Sequence, residues 1–148
     1  MDNSKLYLLL WTALCFWCLG QVWFGQIVIY PLFAKVGQAD YVGYHRFYTS
    51  RIPLVVIVPG FACFLLPVAL TFLGPAVPAW MTAGNVAAGI VGLLVTVGLA
   101  IPRHGKLEKS GKNEALIAEL VRYNWPRTAS ITVQAAVTMF MLAHVLGD

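Results

Sequence analysis

Three short clusters in this chain combine arginine or histidine with aromatic or amide side chains: Tyr44-His45-Arg46 with Arg51, Arg103-His104, and Asn124-Trp125-Pro126-Arg127-Thr128. An arginine can hold an oxyanion by paired hydrogen bonds, and a histidine can move a proton near neutral pH. Together they suit general acid–base work on an acidic or oxygen-bearing group. The spacing Asn124, Arg127, Ile131, Gln134, Thr138 follows one helical face that is mostly polar. Gln26 and Tyr30, four residues apart, form a second polar pair on an otherwise apolar segment. Such groups are costly in hydrocarbon, so they are predicted to face a bundle interior or a wet cavity.

The elements that must position these residues are transmembrane helices. Hydrophobic residues make up 59% of the 148 and charged residues 11%, far below the rough quarter expected of a soluble domain. Mean hydropathy is +0.76. No Asp, Glu, Lys or Arg occurs in 6–34, 52–102 or 128–147. The middle stretch is about twice the ~20 residues that span a bilayer, and Gly74-Pro75-Ala76-Val77-Pro78 divides it with a turn. The predicted fold is therefore an all-α integral membrane protein, a single domain over 1–148. Its four-helix bundle has spans near 6–33, 52–72, 79–101 and 128–146. A turn-like segment is expected over 103–111, then a separate amphipathic helix near 113–124 lying along the membrane, with Leu116, Ile117, Leu120 and Val121 as its apolar stripe. Asp40 and Asn113 are candidate N-caps.

Nine of the ten Lys/Arg residues fall in the two loops 34–51 and 102–127. The positive-inside rule then makes those loops cytoplasmic and both termini extracytoplasmic, with the first span not read as a cleavable signal. A bacterial inner (plasma) membrane is the expected location. The net charge of +4 is explained by orientation and by anionic lipid headgroups, so nucleic acid is not an expected partner.

On this reading a pocket opens at the cytoplasmic face, tapering into apolar walls. His45, His104, Arg51 and Arg127 are its candidate catalytic residues, with either histidine as general base. Gln26, Tyr30, Arg46, Asn124, Trp125 and Gln134 are its candidate substrate-binding residues. The plainer alternatives are that the arginines snorkel to lipid phosphates and that the glutamines join helices. No metal is expected, since no HxxxH, HExxH or carboxylate cluster lies near the histidines. No cofactor is required either; haem between His45 and His104, or a quinone, are the candidates if one is present. His144 belongs at the opposite membrane face. Cys15-Phe16-Trp17-Cys18 resembles the CxxC of four-helix quinone reductases related to the vitamin K epoxide enzyme. Those carry a second cysteine pair, whereas here Cys63 alone remains, and small apolar packing is the simpler role.

Across most of the chain, the strings Tyr44-His45-Arg46-x-Tyr48-x-x-Arg51-Ile52, Pro102-x-His104-x-x-Leu107 and Leu120-Val121-Arg122-x-Asn124-Trp125-x-Arg127-Thr128 resemble small bacterial four-span proteins of the anthrone-oxygenase-like group. The resemblance implies cofactor-free oxygenation of fused-ring aromatic compounds, with His45, Arg51, His104, Asn124, Trp125 and Arg127 as the site. Arg103 and Gln134 depart from the group's pattern, which has a small or apolar residue and a basic residue there.

Two functions are thus in view. One is binding or transformation of a lipophilic, oxygen-bearing small molecule, as an oxidoreductase if an enzyme. The other is a small accessory subunit of a larger membrane complex, for which the aromatic first span and the small-residue stripe Gly84, Ala88, Gly92, Thr96, Ala100 provide contact surfaces. The same stripe could pair two copies of this chain.

Overall fold

The computed structural model describes residues 2–147, and they form four long helices with no strand among them. These are α1 (Asn3–Phe33), α2 (Tyr41–Leu73), α3 (Ala79–Ser110) and α4 (Glu114–Gly147), each long and apolar enough to cross a membrane. The chain is thus a multi-pass membrane protein by the length and composition of its helices. At about 1.5 Å per residue each helix reaches roughly 50 Å, well beyond a ~30 Å hydrocarbon core. The excess explains two differences from the sequence reading. Residues 103–110 are helical and continue α3 instead of forming a turn. The amphipathic stretch is not a separate helix but the first turns of α4, which runs through Pro126 without a break.

Local chemistry sets the ends. Asp2 accepts from the Ser4 amide and hydroxyl at the start of α1. Asn113 Oδ1 accepts from the Leu116 amide at the start of α4 (3.0 Å). Asp40 precedes α2 without a side-chain cap. Gly111 closes α3 at φ 77°, returning its N–H to the Leu107 carbonyl, the left-handed stop that glycine tolerates.

α1 packs on α2, α2 on α3 and α3 on α4, and α4 closes the ring against α1. Two apolar cores result. One gathers Leu8, Trp11, Cys15, Cys18, Cys63, Phe64 and Met141; the other, at the basic end, gathers Tyr30, Phe33, Tyr41, Leu107, Ile117 and Leu120. All three cysteines are free and belong to the first core. Ala88, Gly92, Thr96 and Ala100 of the stripe are buried within this chain.

Three helices contain one π turn each: Gly25–Ile29 in α1, Pro53–Ile57 in α2 and Thr96–Ala100 in α3. Each is closed by an i→i+5 bond, from Tyr30 N to Gly25 O, Val58 N to Pro53 O, and Ile101 N to Thr96 O. A proline follows each π turn at the second position after it: Pro31, Pro59 and Pro102. Proline cannot donate to the carbonyl four residues back, and its ring collides with it; widening the preceding turn relieves that collision. The carbonyl freed by Pro59 is that of Val55. It accepts from Gln21 Nε2 at 2.7 Å and from Trp17 Nε1 at 3.4 Å, which binds α1 to α2. Pro67 likewise frees the carbonyl of Cys63, and Gln134 Nε2 of α4 donates to it at 3.1 Å. Two glutamines thus supply the N–H groups that two prolines withhold.

Candidate functional site

Between the two apolar cores lies a polar layer, where the π turns of α1 and α3 meet the Asn124–Thr128 segment of α4. Gln26 is buried there by α1. Its Oε1 accepts from Asn124 Nδ2 (2.7 Å) and Thr128 Oγ1 (3.3 Å), and its Nε2 donates to the Val121 carbonyl (3.1 Å). One helical turn along α1, the Tyr30 hydroxyl accepts from Arg127 Nη2 at 3.1 Å. Arg127 is 8% exposed, and its Nε is buried without a partner. It does not snorkel.

Arg127 faces a groove of about 270 Å³ between α1 and α2, with Tyr30, Tyr48 and Arg51 around the same polar end. Apart from Gln21 the rest of the wall is apolar, and Phe24 and Val55 are exposed along it. A narrower pocket of about 30 Å³ shares Gln21, Val56 and Arg127 with the groove and reaches Cys18; it has room for about one water. Arg51 stands at the rim, its guanidinium 5.3 Å from the Phe47 ring centroid.

His45 and His104 come together behind this wall. His45 Nε2 and His104 Nδ1 are 3.2 Å apart, the ring centroids 5.4 Å apart and the planes only 25° from parallel. Those values describe two imidazoles joined edge to edge by an N–H···N bond, in which one nitrogen donates and the other is bare. Axial ligands on opposite faces of a haem iron would be about 4 Å apart, twice a metal–imidazole bond, so no haem iron fits between the rings as they stand. No three His, Cys, Asp or Glu side chains among the described residues gather closely enough to hold a metal ion. His45 is fully buried against Phe33 and Tyr41. His104 packs on Tyr30 (5.5 Å) and Tyr48 (5.8 Å), which places it one side chain behind the groove. Replacing either histidine alone by Phe is expected to cost about 1–3 kcal/mol by stranding the other's nitrogen. The double replacement should cost less than the sum, as read by a double-mutant cycle in detergent.

Comparison with family models, with curated proteins and with solved structures finds no match to this chain. What the site can do rests on its own geometry.

Of the residues singled out from sequence, Tyr30, Arg51 and Arg127 line the groove. His45 with His104, and Gln26 with Asn124, form hydrogen-bonded pairs behind it. Gln134 lies deeper, fully buried, donating to the Cys63 and Asn85 carbonyls and accepting from the Cys63 thiol. Arg46 and Trp125 are exposed, and Trp125 meets Trp23 edge-on outside the groove. Tyr48 lines the groove without having been singled out. Its signal was present: it lies three residues from both His45 and Arg51, on the helical face they share.

Proposed function

We propose that this protein binds, and in its active form transforms, a lipophilic, oxygen-bearing small molecule in the α1–α2 groove, at the cytoplasmic face of a bacterial inner membrane. The observation that carries this reading is the groove's composition. Arg127, Tyr30, Tyr48 and Arg51 line it together, and apart from Gln21 the rest of its lining is apolar, with Phe24 and Val55 exposed. Sites for small molecules typically pair such walls with a few placed polar groups. Basic-end topology supports the cytoplasmic placement, because the loops there carry most of the lysines and arginines.

The resemblance to anthrone-oxygenase-like proteins supplies the reaction: a ring CH2 of an aromatic substrate loses a proton, the carbanion takes up dioxygen, and one oxygen stays as a carbonyl while the other leaves as water. In that reaction the substrate oxygen rests on Arg127 and Tyr30, and Tyr48 contacts the ring. The proton the substrate loses passes by way of a tyrosine hydroxyl or a water in the groove to the His45–His104 pair, which lies behind the Tyr30 and Tyr48 rings.

Native mass spectrometry of the chain extracted gently from its own membrane tests the binding claim. The 16.2 kDa species is expected to carry a small-molecule adduct that Arg127→Ala releases. Adduct-free protein, or co-purification in fixed ratio with other subunits, would favour the accessory-subunit role. For the chemistry, His45→Ala should lower turnover at least ~100-fold while the adduct is retained, in line with loss of a general base. Undiminished turnover would remove the histidine pair from the mechanism.

A further inference from the structure

A guanidinium stays charged at any physiological pH, and buried charges are normally paired because leaving water alone is so costly. Arg127 breaks that rule. It is 8% exposed, donates to one neutral hydroxyl, that of Tyr30, and keeps its Nε buried and unpartnered. No Asp or Glu pairs with it among the described residues; Glu119, the acid on the same helix nearest in sequence, is bound instead to Arg103 Nε at 3.0 Å. Yet Arg127 is not sealed away, for it lines both the groove and the narrower pocket beyond. A second cation, Arg51, lines the same groove. Two positive charges and two phenols therefore converge on a cavity with no negative group of its own.

We infer that the missing counter-charge arrives with the ligand: the groove takes an anionic amphiphile whose carboxylate or phosphate head pairs with Arg127. This inference rests on the groove's being the binding site, not on the oxygenation reaction, and specifies the head group it binds. A guanidinium offers forks of parallel N–H groups that two oxygens of one anion match, and Tyr30 engages only Nη2 of Arg127. Tyr30, which accepts from Arg127, has its own hydroxyl proton to give. At about 270 Å³ the groove holds a head and its first carbons, below the volume of most sites for drug-sized ligands. The remaining tail leaves sideways past the exposed Phe24 and Val55 into the lipid. A second groove on the same α1–α2 seam, of about 260 Å³ and lined by Tyr7, Trp11, Leu70 and Leu73 among others, has no charged side chain. It provides an internal contrast.

The test uses the full chain in phosphatidylcholine nanodiscs with a photoreactive diazirine analogue of palmitic acid, its methyl ester, and phosphatidic acid as competitor. The acid probe is expected to label peptides from 24–30 and 48–56, and to bind at least tenfold tighter than the ester, about one charge-assisted hydrogen bond. Arg127→Gln should erase that preference, and Arg127→Lys, which keeps the charge but not the fork, should restore part of it. Competition by either palmitate or phosphatidic acid supports the proposal, and the tighter of the two identifies the source of the anion. Equal binding of acid and ester at the groove peptides would overturn the counter-ion role and leave the groove intact as a site. No groove labelling by either probe would overturn the groove itself. Should Arg127→Gln fail to fold by circular dichroism, the acid-against-ester comparison on the unaltered chain still decides.

Discussion

A Gly89→Ala chain is expected to be the least stable of any single-methyl variant on α3, losing about 3 kcal/mol, the upper end of overpacking costs. A Cβ at Gly89 would lie 2.6 Å from the Phe64 carbonyl oxygen and 3.2 Å from Gln134 Nε2. The first neighbour is backbone and cannot swing aside, so α2 and α3 must separate. Separation also pulls Gln134 from the Cys63 and Asn85 carbonyls it bridges. Gly92→Ala is expected to cost less. Its closest neighbour is a ring carbon of Phe64, and a ring can turn if the surrounding core yields. Gly20→Ala is the control, since nothing lies within 4 Å of its added methyl; there the gain in helix propensity should stabilise by about 0.5–1 kcal/mol. Unfolding in mixed micelles, followed by circular dichroism, orders the three. A Gly89→Ala midpoint equal to that of the unaltered chain would show that α2 and α3 do not approach as closely as described.

The same glycines show what a reader of the sequence can and cannot see. Small residues every fourth position from Gly84 to Ala100 announced a close helix contact, and Ala88, Gly92, Thr96 and Ala100 are indeed buried. The tightest crossing, however, uses Gly89 with Gly92, a spacing of three. Which rows of a helix interlock depends on the angle of its partner, and that angle is a property of two helices at once. Span count was legible because hydrocarbon thickness imposes it on each segment separately. Helix ends were less so: beyond the bilayer, hydropathy stops marking helix, while the i→i+4 bonds continue through residues 103–110 and from Glu114 onward. Among site residues, Arg127 and Tyr30 were visible as polar groups in an apolar run. Their meeting with Tyr48 was not, because Tyr48 lies on another helix, and spacing within one helix does not say which helix it will face.

Gln134→Leu is expected to destabilise by about 2 kcal/mol, and Pro67→Ala to return roughly half of that loss. A leucine side chain would fill much the same space as the glutamine but could not donate. The Cys63 carbonyl then loses its side-chain donor, and Pro67, four positions on, has no N–H to replace it; a buried unsatisfied carbonyl costs about 1–3 kcal/mol. The Asn85 carbonyl is less affected, since the Gly89 N–H remains available four residues along its own helix. An alanine at position 67 restores an N–H to Cys63 and makes the glutamine dispensable. The two substitutions should therefore be non-additive by about 1 kcal/mol in a double-mutant cycle, at the upper part of the range measured for hydrogen bonds inside membranes. Strict additivity would mean that Gln134 holds α2, α3 and α4 together through packing alone. Pro59 and Gln21 form the second such couple, for the Gln21 amide donates to the Val55 carbonyl at 2.7 Å along the wall of the proposed binding groove. There the matching exchange, Gln21→Leu with Pro59→Ala, should preserve stability yet let the π turn at Pro53–Ile57 tighten toward an ordinary α-turn. Ligand affinity should then fall although no polar group at the head of the groove has changed, because the wall that Val55 and Val56 present is set by that turn.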